Sequence, residues 1–207
     1  MGPTSGETYI KKATYSLVPP AVPTDSTQSD AWLSIWIGLS ASQGDDSSPL
    51  LQPLLNWAPK NSDVGCPADN DAWCVAANTL LPSGQEGQPY VAVANGATID
   101  FEITTVSSGT VTQKVYMNDK VVSQLTDSNM DKNPKWVIAS NECYSGQCGS
   151  LEGYIWSNVT ITLSAADESF GDSLSLSGAT SSGFTSSDNG VTWNGDIKFE
   201  ADQFLSS

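Results

Sequence analysis

Ala97–Thr105 (ATIDFEITT) is the stretch that settles the fold class. Ile99, Phe101 and Ile103 alternate with Asp100, Glu102 and Thr104. A period of two, with β-branched and aromatic residues on one side, predicts a half-buried strand with one face in a core. Just upstream, Asn95-Gly96 is a turn dipeptide, and Tyr90–Val93 before it is a second short strand. Downstream, residues 110–117 and 120–125 form a hairpin around Asn118-Asp119.

The same reading extends in both directions. Residues 7–18 predict a first strand, closed by Pro19-Pro20. Ala31–Leu39 (AWLSIWIGL) is nearly continuous in apolar character, as expected of a central strand covered on both faces or lining a groove. Leu50–Trp57 (LLQPLLNW) and Asp71–Ala77 are further strands. Gln52, inside such an apolar run, must find hydrogen-bond partners or face a cavity. A turn is expected around Gly84 and Gly87. Asn133–Ala139 reads as a strand with Lys135, Val137 and Ala139 on one side and Trp136 and Ile138 on the other. Tyr154–Leu163 is another strand, residues 164–188 look like loop, and Val191–Phe199 returns as a last strand. About ten short strands without a helical period predict an all-β antiparallel β-sandwich or jelly roll of two packed, curved sheets. The whole chain, 1–207, is expected to be one domain, with residues 1–6 a disordered tail.

Composition limits the chemistry. There are 23 acidic residues against 8 lysines, no arginine and no histidine, and the net charge is −15. Nucleic acid and anionic membrane surfaces are excluded as partners, because both need clustered cations. A protein without histidine has no Ser-His-Asp triad, no Cys-His pair and no histidine-ligated zinc. Acid–base work would fall to Asp, Glu, Lys, Tyr or Cys. The acidity also suits a working pH where many carboxylates are protonated. Neither a cofactor nor a metal is expected, and the chain is expected to be a monomer.

The four cysteines form two local pairs, suggesting bridges Cys66–Cys74 and Cys143–Cys148, although three connectivities are possible. Neither spacing matches a zinc knuckle, so an oxidising compartment and secretion are expected. Asn158-Val159-Thr160 is a glycosylation sequon. Met1-Gly2 reads as a start placed after a removed signal peptide.

Several side chains could carry function. Trp32, Trp36, Trp57, Trp73, Trp136 and Trp156 lie on predicted strands and could form an aromatic sheet face, with Trp36, Trp57, Trp73 and Trp136 lining a cleft for a peptide, a sugar ring or a small molecule beside Lys135. Asp100 and Glu102 share one strand face, as a glycosidase carboxylate pair would, although a solvated face explains them better. Glu142, Glu152 and Glu200 are the remaining carboxylates near aromatic strand residues.

The order of short motifs carries a resemblance. Trp36-Ile37-Gly38, Leu50-Leu51-Gln52, Asp71-Ala72-Trp73, a 91–101 hairpin, Lys135-Trp136-Val137-Ile138 and Trp156–Leu163 follow one another as in the glutamic peptidases. These are the eqolisins, secreted fungal acid proteases, and the resemblance spans roughly residues 30–165. It implies a concanavalin A-like sandwich of two seven-stranded sheets, with a substrate cleft on the concave face. It also implies a hydrolase working in acid through a Gln/Glu dyad, in which the glutamate activates a water and the glutamine helps hold it.

Gln52 falls at the family's glutamine. The family's Glu-Trp-Ile-Val-Glu-Asp stretch is matched by Lys135–Ser140, which puts Lys135 and Ala139 where glutamates are expected. Cys74, Val75 and Ala76 also replace the aromatic and acidic residues that follow the tryptophan. A lysine stays protonated in acid and cannot be the base there. The resemblance therefore implies a cleft with an altered dyad, kept for ligand binding or different chemistry. The alternatives are an acid endopeptidase pairing Gln52 with Glu142 or Glu152, and a carbohydrate-binding or polysaccharide-cleaving sandwich.

Overall fold

A computed structural model describes residues 1–204 apart from positions 27, 46, 129 and 146. The first strands are β1 (Ile10–Leu17), β2 (Trp32–Ser40), β3 (Leu50–Leu51), β4 (Leu54–Trp57), β5 (Cys74–Ala76) and β6 (Asn78–Leu81). Next come β7 (Gly84–Gly87), β8 (Val91–Ala92), β9 (Ile99–Ser107), β10 (Thr110–Met117) and β11 (Lys120–Asp127). The last are β12 (Trp136–Ser145), β13 (Gly149–Leu151), β14 (Tyr154–Leu163), β15 (Ala179–Thr180), β16 (Thr192–Phe199) and β17 (Asp202–Phe204).

They form an antiparallel β-sandwich. A seven-stranded sheet runs β11-β10-β9-β1-β14-β16-β15. An eight-stranded sheet runs β7-β6-β3-β2-β4-β5-β8, and β12 joins it on β2. A small β13-β17 pair stands apart. Among the described residues no helix is long and apolar enough to cross a membrane.

The predicted alternation sets the core. Ile99, Phe101 and Ile103 of β9 are buried, and so are Leu33, Ile35, Ile37 and Leu39 of β2 on the facing sheet. Between the sheets Tyr15 stacks on Phe101 with ring centroids 5.0 Å apart and meets Trp156 edge-on at 5.3 Å. Such pairs add about 0.5–1.5 kcal/mol beyond their buried area. The Tyr15 hydroxyl crosses the sandwich to donate to the Ile37 carbonyl at 2.7 Å.

Several local expectations change. Residues 1–6 are not a disordered tail: Val137 N–H donates to the Met1 carbonyl at 2.9 Å, and Thr4 N–H to the Lys135 carbonyl at 3.1 Å. This segment pairs with β12 and satisfies its outer edge, which an exposed strand would leave open. The 91–101 stretch is not a hairpin. β8 pairs with β5, while β9 lies in the other sheet, so Asn95-Gly96 turns a corner between sheets. Gly96 has φ of +76°, where a side chain would be strained. Residues 84–87 are a strand rather than a turn, pairing with β6 around a tight Pro82-Ser83 connection. Both expected disulfides are present, Cys66–Cys74 and Cys143–Cys148.

Candidate functional site

The site is built on β2. Its core-side residues alternate with Trp32, Ser34, Trp36, Gly38 and Ser40, which face away from the core. β3 and β4 pair with one edge of β2 in a single register: Leu51 opposite Leu39, and Leu55 opposite Ile35. That register places Gln52 opposite Gly38 across a gap in the ladder. Pro53 cannot donate to the ladder there, and Gln52 N–H turns to the Asn78 carbonyl at 2.8 Å. β12 pairs with the other edge, with Ile138 opposite Gly38, Ser140 opposite Trp36 and Glu142 opposite Ser34.

Three rows therefore cross the open face. One is Gln52–Gly38–Ile138, the next is Leu54–Trp36–Ser140, and the third is Asn56–Ser34–Glu142. Gly38 keeps the first row low, because a Cβ there would lie 2.8 Å from the Leu51 carbonyl oxygen and 3.2 Å from Gln52 Cβ.

A cavity of about 320 Å³ opens on this face, lined by Trp32, Ser34, Gln52, Leu54, Leu80, Gly84, Gln85, Glu142 and Tyr144. A second, of about 310 Å³, continues toward Ser40, Ser42, Leu50 and Ile138, and shares Leu80 with the first. Together they follow β2 for most of its nine residues, roughly 30 Å of strand. The β6–β7 hairpin forms one side. It is tied to the opposite sheet by Thr79, which donates to Asp127 at 2.9 Å and accepts from Gln113 at 2.7 Å.

Gln52 is 4% exposed and its Oε1 has no hydrogen-bond partner. Leaving such an atom unpaired costs about 1–3 kcal/mol, so a ligand N–H or a water gains most at this point. Glu142 is exposed, and Trp36 Nε1 donates to its Oε2 at 3.3 Å. Beside Ser34 on β4, the buried Asn56 is oriented by Trp32. The Trp32 indole can only donate, so the Asn56 carbonyl must face it, at 2.9 Å. The Asn56 amide then donates to Ser34 Oγ at 2.6 Å and to the Leu55 carbonyl at 3.1 Å, and its oxygen also accepts from the Tyr90 hydroxyl. Burial pushes Tyr90 up to about 12, so it remains a donor.

The sequence candidates separate accordingly. Gln52 and Glu142 line one cavity, and Trp36, buried in the row between theirs, donates to Glu142 but does not itself line the cavity. Trp57 and Trp73 do not join them, since both are packed in the core with their indoles donating to the carbonyls of Asn70 and Pro20. Lys135 shares its side of β12 with Val137, away from the open face, and its ammonium donates to the Gly6 carbonyl. Trp136 is half-buried against Gly2 and does not line the cavity. Glu152 is exposed and also lies outside it, and Glu200 is exposed with Thr180 as its partner.

Asp100 and Glu102 lie on the outer face of the other sheet. Asp100 accepts from Ser16 at 2.5 Å, and Glu102 pairs with Lys12 at 2.6 Å. Asn158 is exposed at an irregularity of β14. Ser34, Asn56, Gln85 and Tyr144 were not among the sequence candidates, and Trp32 was read only as one of the strand tryptophans. The period-two pattern of β2 could have indicated Trp32 and Ser34, on the same face as Trp36. Nothing local marked the others.

No protein-family model matches the sequence, and no curated protein does. Solved structures do match. Scytalido-glutamic peptidase with a peptide-based transition-state analogue is 14% identical over 91% of this chain and 94% of its own, with a TM-score of 0.53. The same peptidase with a transition-state analogue inhibitor gives 15% over 93% and 95%, at 0.51. SCP-B, an eqolisin-family peptidase in complex with the tripeptide Ala-Ile-His, gives 13% over 95% and 99%, at 0.53. At such identities the likeness is one of backbone architecture, and it extends well beyond residues 30–165. The chain has the fold of the glutamic peptidases.

Proposed function

We propose that the chain is a secreted peptide-binding protein on the glutamic peptidase fold, with the catalytic dyad altered and the cleft kept. The row Gln52–Gly38–Ile138 carries this reading. An amide and a carboxylate that share one water sit within about 6 Å of each other, two hydrogen bonds apart. Across the low bridge of Gly38, Gln52 faces an isoleucine. The carboxylate on this face, Glu142, belongs to a row four residues further along β2, about 13 Å of strand away. Lys135 is irrelevant to the dyad in this reading, because it points to the other side of β12.

The cleft itself is intact. It has a buried amide oxygen without a partner, apolar sides in Leu54 and Leu80, and a length suited to an extended peptide. The fold relatives hold a tripeptide or a peptide-based analogue, which favours a peptide over a glycan. The two disulfides suit an oxidising, extracellular setting.

One observation favours a second reading, an acid endopeptidase using Gln52 with Glu142. Both residues line one cavity, and Trp36 orients the carboxylate. Titration of isotope-labelled protein with the oxidised insulin B chain, followed by NMR, tests the binding reading. Shifts confined to β2, β6–β7 and β12 and weakened by Gln52→Ala are expected; shifts elsewhere would count against it.

A further inference from the structure

The row beyond Trp36 contains a chain of hydrogen bonds with one direction. Tyr90 and Trp32 both donate to the Asn56 carbonyl, which is fully buried. That leaves the Asn56 amide to donate, and one of its two protons goes to Ser34 Oγ at 2.6 Å. Ser34 therefore accepts from its neighbour across the β2–β4 pair, and its own proton has no acceptor among the described residues. The side chain is 7% exposed, and it lines the cavity.

Directly across the strand pair stands Glu142. Its Oε2 is engaged by Trp36, and the carboxylate has further acceptor capacity. One row thus presents a donor and an acceptor side by side to the same space. A peptide group needs that combination, with its C=O toward the donor and its N–H toward the acceptor.

We propose that Ser34 and Glu142 together form a subsite for a peptide group of the bound chain, with Asn56 as the positioning residue that aims the Ser34 proton into the cleft. The subsite rests on the peptide-binding reading above and adds a second polar anchor, two rows from Gln52. The spacing matters. Four residues of β2 separate the two anchors, so a peptide lying along the strand would meet them at peptide groups about four residues apart. Tyr90 acts at one further remove.

The test uses the oxidised insulin B chain as probe and the dissociation constant as readout. Ser34→Ala is expected to weaken binding about three- to tenfold, the range for one neutral hydrogen bond. Ser34→Thr keeps the hydroxyl and should restore it. Asn56→Asp puts an acceptor beside Ser34, which draws the serine proton toward β4 and away from the ligand, so it should weaken binding to the same degree at neutral pH. The double variant Ser34→Ala/Asn56→Asp should lose no more than either single one. Melting temperatures identify any variant that fails to fold, and Glu142→Gln, on the exposed end of the row, supplies a second measure of the subsite.

If Gln52→Ala weakens binding while Ser34→Ala and Glu142→Gln leave it unchanged, the cleft is correct and the subsite is wrong. Losses that simply add in the double variant would overturn the positioning role of Asn56. Wild-type protein that binds no peptide would overturn the cleft reading, and the subsite with it.

Discussion

Gln52 and Ile138 face each other across Gly38, in one row of the open sheet face. The residue opposite the amide is apolar, and the lysine three positions earlier lies on the reverse side of the strand. On the proposed reading, residue 138 rather than residue 135 occupies the position across Gly38 from Gln52.

Ile138→Glu should therefore place a carboxylate within reach of Gln52, whereas Lys135→Glu should place one on the wrong side of β12. We expect the first variant to gain measurable proteolysis of denatured protein in acid, and the gain to vanish in Ile138→Glu/Gln52→Ala. Lys135→Glu is expected to gain none. Cleavage by Lys135→Glu alone would show that the register assigned to β12 is wrong.

Tyr15 links the sheets through Ile37, and Ile37 lies on β2 between the Trp36 and Gly38 rows. Tyr15→Phe keeps the aromatic stack but leaves the bridging bond unmade. The expected loss is about 1–3 kcal/mol, a fall in Tm of roughly 2–10 °C for a chain of this size. Calorimetry checks it, and an unchanged Tm would mean that the crossing bond contributes nothing.

Asp167 gives the protein one source of acid sensitivity. Burial alone would raise its pKa, but hydrogen bonds from Ser169 and Ser5 outweigh that and hold it below the usual 3.8. A carboxylate depressed in the folded state stabilises the fold above its unfolded pKa, and that stability is lost as pH falls through the folded value. Asp167→Asn should therefore lower Tm at about pH 6, by some 2–4 °C if the net loss is about 1 kcal/mol. The two melting curves should converge only once the pH falls below the folded-state value, itself lower than 3.8, where both side chains are neutral. A difference that persists unchanged in strong acid would mean that the charge plays no part.

Much of the sandwich was legible because burial imposes a period of two on each strand. The Ile99–Phe101–Ile103 alternation and the continuous apolar run of β2 both became what their patterns required. Gln52 was legible for a similar reason, since an amide in an apolar strand needs a partner or a cavity. The remainder was hidden because it depends on pairing between distant strands. Which residue of β12 faces Gln52 is a matter of register, and a short motif match at Lys135 gave the wrong side of the strand. Glu142 was hard to place because the predicted strand ended at Ala139, whereas β12 continues to Ser145. Trp57 and Trp73 occupy the core because of the side of the strand they fall on, although their composition resembled a binding platform. The Gly84–Gly87 segment reads as a turn by composition and becomes a strand only because β6 pairs with it.

The central claim is that the cleft binds peptide without the ordinary glutamic dyad. The most direct measurement is digestion of denatured protein by the wild-type chain across about pH 2–5, the range in which carboxylates titrate, alongside Gln52→Ala and Glu142→Gln. No cleavage by wild type at any of these pH values, together with retained peptide binding, is the expected result. Cleavage by wild type that is abolished by both Gln52→Ala and Glu142→Gln would contradict the claim and make the chain an active acid peptidase.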